Sequence, residues 1–482
     1  MIIQLRRFGF PLLLTGLLGA LPVGSASSIQ STPAVVADVH PALPALFDDI
    51  EKRTFDFFWN TTNPVNGLVP DRYPTKSFSS IAADGFGLTA YPIGVERGYI
   101  TRAQARQRVL VMLRFFRDAP QGAQRDGTVG YKGFFYHFLD MRTGLRSHHS
   151  ELSTIDTSLL LAGMLFCQSY FDGSDAVETE IRQAVDTIYA RVDWTWAQVR
   201  PPAIVNGWSP EKGFIAWDWR GYNEGMLVYL LALGSPTHPV AENAWEAWTS
   251  TYDSHWHNIQ GRMQLAFAPL FGHQYSHVWV DFRGIRDAYM RRRGLDYFQN
   301  SRRATLSQRE YAIENPLGWR GYGANVWGLT ASDGPKDIVH GYNGRLRMFF
   351  TYSARGSVLQ GARDDGTIAP AAALGSLPFA PEVVIPAVLE MHRRDGERIY
   401  STYGFLDAFN PSFDFPVKLG QGRQYPGHGW VDTDYLGIDQ GPILAMIENY
   451  RSDLIWRTMR SNPYLRRGLI RAGFSDGWLE SR

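Results

Sequence analysis

The chain has 482 residues, of which 44% are hydrophobic and 20% are charged, as in an ordinary soluble globular protein. Its 48 Lys and Arg residues nearly cancel its 47 Asp and Glu residues, so no net charge favours nucleic acid or an anionic membrane. The aromatic share of 14% is high, and such rings either fill a core or form a platform for a ligand. A neutral or weakly charged ligand therefore fits the composition better than a nucleic acid.

The N-terminal segment has the pattern of a secretory signal. Arg6 and Arg7 precede the apolar run 8–21, and small residues follow at 24–26. A membrane anchor is the alternative, but the run is short for a spanning helix. We expect a signal peptide over 1–26, a leader segment over 27–42 and one domain over 43–482. The mature protein is then periplasmic or secreted, with no membrane association after signal cleavage.

Most of the remaining chain has helical periodicity. Apolar side chains recur every three or four residues, and the segment 85–96 is apolar but interrupted by Pro92. The aromatic stretch 134–138 has the composition of a short strand. Cys167, the one cysteine of the chain, lies in an apolar helical run and is predicted to be a core residue. Helices are predicted over 43–59, 101–116, 153–171, 174–192, 223–233, 239–252, 271–291, 300–313, 381–393 and 441–460.

The order of these elements indicates an all-α fold. The regular alternation of strand and helix that predicts a parallel sheet is missing, and no repeat of fixed length is present. Helical hairpins arranged around a closed ring explain the pattern best. The loops between them are long and rich in Gly and aromatic residues, and long loops in a compact domain are usually functional.

One loop-to-helix junction combines rings with charge. Trp217, Trp219, Arg220, Tyr222 and Glu224 lie within nine residues. A carboxyl group among apolar rings has a raised pKa and suits protonation of a sugar linkage. The alternative is a favourable acidic charge in the first turn of a helix.

Other acidic residues have good structural explanations when considered singly. Ser153 and Asp156 have the spacing of a capping box, close to Glu151. Asp407 lies on an aromatic-flanked turn, where Asp is common. Asp439 has the position of an N-cap with Pro in the first turn behind it.

A metal site is not predicted. His273 and His277 have the i, i+4 spacing of a zinc pair, but no Glu follows the first His and no third ligand is evident. No nucleophile elbow or dinucleotide-binding fingerprint is present either. The sequence therefore predicts no cofactor.

Seven segments, in order along the chain, resemble the glucoamylase-like domain of glycoside hydrolase family 144. They cover nearly all of the chain after the leader segment, which makes the resemblance more specific than any single motif. The segments are 57–60, 80–89, 98–102, 153–157, 222–224, 328–335 and 435–442.

The resemblance implies an (α/α)6 toroid of helical hairpins whose long loops form a central cleft. It also implies inverting hydrolysis of β-1,2-glucan without metal, either internally or with release of sophorose. The general acid falls on Glu224. The base falls on Asp407, acting on water through a substrate hydroxyl, with Asp434 and Asp439 as alternatives.

The same resemblance indicates which residues contact the glucan. Within this reading, carboxylates line the cleft, polar side chains hold hydroxyl groups and aromatic rings stack on sugars. A polysaccharide lyase on the same toroid and a non-catalytic glycan-binding protein remain the alternatives. The expected substrate-binding residues are Glu151, Asp156, Asp333, Asp439, Tyr136, His148, His149, Arg220, Trp217, Trp219, Tyr222, Trp319 and Trp327.

Overall fold

The computed structural model describes residues 41–357, 359 and 362–480. The predicted signal peptide and all but the end of the predicted leader lie outside these residues. From Ala42 onward the chain forms one compact unit. None of the described helices combines the length and apolar character needed to cross a bilayer.

The described residues contain fifteen α-helices, which alternate between half-exposed and buried along most of the chain. They are α1 (Ala45–Thr61), α2 (Ile81–Glu96), α3 (Arg102–Asp118), α4 (Thr154–Tyr170), α5 (Ala176–Ala190), α6 (Met226–Gly234), α7 (Asn243–Thr249), α8 (Tyr275–Trp279), α9 (Ala288–Arg293), α10 (Tyr297–Glu314), α11 (Pro370–Leu374), α12 (Pro381–Ile399), α13 (Gly437–Ser452), α14 (Leu454–Met459) and α15 (Pro463–Arg471).

Burial separates these helices into an inner and an outer set. The inner helices α2, α4, α6, α8, α11 and α13 are buried on nearly all sides, whereas α1, α3, α5, α7, α10 and α12 bury one face. A helix that is apolar all round has to be enclosed by others, and an amphipathic helix can cover it. Each outer helix precedes an inner one in the chain. The arrangement is an (α/α)6 toroid and confirms the predicted all-α class.

Short antiparallel strands connect the helices in nine small sheets. Three inner helices, α2, α4 and α13, begin directly after a strand, so the strands fix where these helices start. The strands are β1 (Arg72–Tyr73), β2 (Ser79–Ser80), β3 (Gly130–Tyr131), β4 (Phe134–Phe135), β5 (Phe138–Leu139), β6 (Leu152–Ser153), β7 (Gly207–Ser209), β8 (Gly213–Phe214), β9 (Trp256–Ile259), β10 (Arg262–Leu265), β11 (Ala331–Ser332), β12 (Ile338–Tyr342), β13 (Arg345–Phe349), β14 (Ser353–Ala354), β15 (Tyr400–Ser401), β16 (Gly404–Phe405), β17 (Phe409–Asn410), β18 (Arg423–Tyr425), β19 (Gly429–Val431) and β20 (Tyr435–Leu436).

Three predicted elements differ from the structure. The predicted helix 271–291 is divided into α8, an irregular turn and α9, with Gly284 in the left-handed region at φ 74°. The predicted helix 441–460 is interrupted at Asp453, which has φ 56°. The apolar segment around Pro92 belongs to a full helix, α2, because α2 carries Pro92 near its C-terminal end without a break.

Helices α2 and α4 pack closely against each other through two glycines. A Cβ atom on Gly163 would lie 2.1 Å from the carbonyl oxygen of Gly85. A Cβ atom on Gly85 would lie 2.3 Å from the carbonyl oxygen of Leu159. Any side chain at either position would push the two inner helices apart.

We expect Gly163→Ala to lower the free energy of unfolding by about 1–3 kcal/mol, the usual cost of overpacking a core. Urea unfolding followed by far-UV circular dichroism measures this change. The matched control is Gly396→Ala in α12, where the new Cβ would meet the His392 ring at an ordinary 3.4 Å. The control should be neutral or stabilising by up to about 1 kcal/mol, because Ala favours a helix over Gly. Equal stability of the two variants would contradict the close contact.

Candidate active site

Acidic side chains gather where inner helices begin. Asp156 lies in the first turn of α4 and Asp439 in the first turn of α13. Glu224 lies two residues before α6. Backbone amides exposed at a helix N-terminus favour negative charge, so this end of the toroid can carry carboxylates that its apolar core could not.

A cavity of about 200 Å³ opens between these helix ends and contains Glu224. A second cavity of about 160 Å³ shares His137, Tyr352 and Ile438 with the first. We call the two together the central cleft. The first cavity is also lined by Ile155, Asp156, Leu159, Phe271, Tyr275 and Ala331, and the second by Asp71, Arg72, Phe78, Ser80, Phe138 and Leu436.

A third and larger cavity, of about 530 Å³, includes Glu151 in its wall. The Glu151 carboxylate lies 2.8 Å from the ring of His137, which lines the central cleft. The hairpin β7–β8 and the residues after it, including Glu211 and Phe214, form the opposite side of this cavity. The central cleft and the adjoining third cavity together therefore have room for a ligand larger than a single sugar.

Glu224 has the electrostatics of a proton donor. Burial raises its pKa to about 7; its own backbone amide opposes this, and the nearby charge of Asp156 adds a smaller increase. Its Oε2 atom is buried and has no hydrogen-bond partner among the described residues. The residue at the N-cap of α6 is Gly225, and no side chain caps that helix. Glu224 therefore lies just before α6 and not in its first turn, where the alternative explanation placed it.

Asp407 and Asp439 form a coupled pair of buried carboxyl groups. Burial and the neighbouring charges of Asp439 and Asp333 raise the pKa of Asp407 well above its usual range. Burial also raises the pKa of Asp439, to about 7. The interaction between the two groups raises the pKa of Asp407 and lowers that of Asp439, which favours a proton shared by the pair on Asp407. The backbone N–H of Asp333 donates to Oδ2 of Asp407 at 2.7 Å and favours the ionised form there.

Arg72 supplies positive charge to this acidic group. Its Nη1 donates to Oδ2 of Asp333 at 2.7 Å and lies 4.0 Å from Asp434. Oxygen atoms of Asp333, Asp407 and Asp432 lie within 4.8 Å of one another, a spacing that could also suit a cation. Asp434 is engaged differently, since its Oδ1 accepts the N–H of Thr75 at 2.9 Å.

His137 joins the two cavities and was missed by the sequence analysis. Its Nδ1 lies 2.8 Å from Glu151 and its Nε2 lies 3.5 Å from Asp156. Burial alone would lower its pKa, but the two carboxylates outweigh burial and raise the pKa to about 9. Alternation in the predicted strand 134–138 could have indicated it, because neighbours of a buried Tyr136 face the other side.

Several expected substrate contacts are not brought to the cleft. Tyr136 and Tyr222 are buried, with the guanidinium of Arg146 over the Tyr136 ring and Tyr297 stacked on Tyr222. Trp319 and Trp327 are buried as well. These four rings fill the core, which is the commoner role of a large aromatic side chain.

Other expected contacts lie at the surface beside the cleft. Trp217 is 75% exposed, Arg220 is exposed, and Trp219 is half-buried with its indole N–H donating to Thr154. His148 is exposed and packs its ring edge against Phe78 of the second cavity, 5.2 Å between centroids. His149 lines the third cavity.

The two histidines with zinc-like spacing are core residues. Burial lowers the pKa of His273 to about 4 and that of His277 to about 3, so both are neutral. Nε2 of His273 contacts the carbonyl of Phe267, and Nε2 of His277 contacts Ser301. Cys167 is buried as predicted.

Comparison with known proteins identifies the family. The Glycoamylase family model, described as "Putative glucoamylase", matches residues 216–463, just over half of the chain. An exo β-1,2-glucooligosaccharide sophorohydrolase (non-reducing end) from Parabacteroides distasonis is 28% identical over 88% of this chain. This chain spans only 57% of the length of that curated relative.

Solved structures agree with this match. An endo-β-1,2-glucanase from Chitinophaga pinensis, in complex with sophorotriose and glucose, is 29% identical with a TM-score of 0.76, and the alignment covers 91% of this chain and all of that one. A β-1,2-glucanase from Parabacteroides distasonis is 27% identical with a TM-score of 0.75, covering 89% of this chain and 60% of that one. The chain belongs to glycoside hydrolase family 144. The predicted resemblance is thereby confirmed.

In this family 144 member the family-model match covers only part of the cleft. Glu224, Asp333, Asp407 and Asp439 fall within residues 216–463. His137, like Glu151 and Asp156, comes from the preceding part of the chain. The cleft is therefore assembled from both halves of the sequence.

We expect the stability contribution of His137 to depend on pH. The pKa of His137 is about 9 in the folded protein, whereas an ordinary histidine has a pKa of 6.5. The charge on His137 therefore stabilises the fold fully below pH 6.5, and this stabilisation is lost as the pH rises through 9. The contribution is about 2–3 kcal/mol from the size of the shift. Urea unfolding of wild type and His137→Gln at pH 6 and pH 9.5 measures it. A difference that stays constant with pH would contradict the ion-pair description.

Proposed function

We propose that this protein hydrolyses β-1,2-glucan. The observation that carries the proposal is Glu224, a half-buried residue that lines an open cavity and whose pKa is raised to about 7. Its relatives support the substrate, because they are a β-1,2-glucooligosaccharide sophorohydrolase and β-1,2-glucanases. Both chain-end and internal cleavage occur among these relatives, and the products of this protein would distinguish the two modes.

Glu224 acts as the general acid in this proposal. At neutral pH a large share of Glu224 is protonated, and its carboxyl group, which lines the cavity, can deliver its proton to the glycosidic oxygen as the bond to the leaving sugar breaks. The resulting carboxylate stays in the cavity until it takes a proton from solvent. No covalent intermediate is required, because a water attacks the anomeric carbon from the opposite face.

Asp407 is proposed as the base that accepts the proton of this water, through a substrate hydroxyl. The N–H of Asp333 holds its Oδ2 and favours its ionised form, while Oδ1 is free of donors. For Asp407 to act as the base, the proton shared by the pair has to move to Asp439, because the interaction between the two groups raises the pKa of Asp407 and lowers that of Asp439. Asp434 also accepts a backbone N–H, from Thr75, and stays an alternative base.

The charge of the cleft favours a neutral glucan over an acidic one. Asp71, Asp333, Asp407 and Asp439 lie around one arginine, Arg72. A lyase acts on uronic acids, whose carboxylates this group of acids would repel. A hydrolase acting on a neutral glucan therefore fits the cleft better than the lyase alternative. We also propose that the protein acts in the periplasm or outside the cell, which the basic and apolar pattern of residues 1–26 supports.

We expect Glu224→Gln to lower kcat/KM on linear β-1,2-glucan by about 100- to 10 000-fold, the usual contribution of a general acid. In the wild type kcat/KM should fall tenfold per pH unit above about pH 7, as Glu224 loses its proton. This alkaline decline should be absent from the residual activity of Glu224→Gln. Reducing-sugar release over a pH series measures both effects.

The matched control is Glu242→Gln, an exposed glutamate that should leave kcat/KM unchanged. In the same assay Asp407→Asn should be more damaging than Asp439→Asn, and the reverse order would move the base to Asp439. Near wild-type activity of Glu224→Gln would remove Glu224 from the mechanism and point to another acid, whereas an inactive wild type would favour the non-catalytic glycan-binding alternative.

A further inference from the structure

Residues 333–352 leave the body of the toroid and return to the same place. The strands on either side of them, β11 and β14, pair with each other, and the hairpin β12–β13 lies between. We call residues 333–352 the arm. Its first residue, Asp333, holds Asp407 through its N–H, and its last residue, Tyr352, lines both cavities of the central cleft.

The base of the arm is closed by a fully buried arginine. Arg355 has no exposed surface and donates to carbonyl groups at both ends of the arm. Its Nη1 bonds to the carbonyls of Ser332 at 2.7 Å and Asp333 at 3.2 Å. Its Nη2 bonds to the carbonyls of Phe350 at 3.2 Å and Thr351 at 3.0 Å.

A buried aspartate completes this contact. Asp365 is also fully buried and pairs with Nε and Nη2 of Arg355 at 2.7 and 2.9 Å. Its Oδ2 accepts the N–H of Phe350 at 3.0 Å, so the ion pair holds the returning end of the arm through both partners. A planar guanidinium can serve this many acceptors at fixed angles, which a lysine ammonium cannot.

Gly334 shows how closely the two ends of the arm approach. A Cβ atom at this position would lie 2.1 Å from Nη2 of Arg355 and 2.3 Å from the carbonyl oxygen of Phe350. Gly334, in the segment 328–335, is therefore required because no side chain fits in the space at this position. Its role follows from the arginine contact rather than from a turn.

We infer that Arg355 is a positioning residue for the cleft, holding Asp333 against Asp407 and Tyr352 at the junction of the two cavities. The Arg355 guanidinium holds both ends of the arm. At the first end it binds the carbonyls of Ser332 and Asp333, and at the other end it binds those of the two residues before Tyr352. The kinetic consequence rests on the proposed glucan hydrolysis, whereas the structural consequence does not.

Arg355→Lys tests this inference, because lysine keeps the charge beside Asp365 but loses the fork that reaches both ends of the arm. We expect kcat on β-1,2-glucan to fall at least tenfold. The acidic limb of the pH profile should move to higher pH, because Asp407 loses the N–H that favours its ionised form. Hydrogen exchange at the amides of Asp333 and Phe350 should be faster than in the wild type.

Gly334→Ala is the second variant, since it keeps both Arg355 and Asp365 but places a Cβ atom against Nη2 of Arg355 and the carbonyl of Phe350, which forces the ends of the arm apart. It should give the same three changes. The matched control is Arg97→Lys, which alters another bidentate pair with a buried acid, Glu448. Arg97 lies at the far end of α2, about 24 Å along the helix from the cleft. This control should leave kcat, the pH profile and exchange in the arm unchanged.

Two results would overturn the inference. One is wild-type kcat and pH profile in Arg355→Lys and Gly334→Ala while Glu224→Gln is inactive. The other is unchanged exchange at Asp333 and Phe350 in both variants. If the wild type itself fails to cleave β-1,2-glucan, the proposed function is wrong, and the exchange measurement alone decides the role of Arg355.

Discussion

Crowding of carboxyl groups in a low-dielectric cleft is the constraint that the rest of this structure accommodates. Buried like charges a few ångströms apart cannot all be ionised, so some retain protons at neutral pH. Glu224 and the Asp407–Asp439 pair are in this situation, and Arg72 offsets only part of the negative charge. Chemistry that needs one protonated and one ionised carboxyl can then proceed at the same pH.

The toroid makes this crowding tolerable. Its inner helices are apolar on all sides and supply a large buried core, while their N-terminal ends present backbone amides towards the cleft. Very short strands set where three of these helices begin, and a fully buried arginine closes the arm that carries Asp333 and Tyr352. Stability is thus concentrated in the helices, and the acids occupy the rim that the helix ends define.

The fold could be predicted from the sequence to a large extent, because helical periodicity is a local property. The prediction of a single helix over 271–291 was wrong, because the apolar spacing continues through the turn around Gly284 and no local signal indicates that turn. The predicted strand 134–138 corresponds to β4 and the start of β5. The other two-residue strands were not predicted, since they depend on pairing with distant segments such as β1 with β20.

The site was harder to predict from the sequence than the fold. Glu224 was identified from its aromatic neighbours, yet one of those neighbours, Tyr222, is a core ring. His137, Arg72 and Tyr352 were not selected, because their importance comes from partners 14 to more than 200 residues away. Burial and ion pairing between distant parts of the chain decide which polar residues come together, and the spacing of residues in the sequence does not predict these contacts.

The central claim is that a protonated Glu224 and an ionised carboxylate act on opposite faces of a β-1,2-linked glucosyl unit. Proton NMR of the first reducing ends formed from linear β-1,2-glucan tests it most directly. We predict that the α-anomer appears first and then mutarotates to the equilibrium mixture. First appearance of the β-anomer, or of an unsaturated product, would contradict the inverting acid–base mechanism.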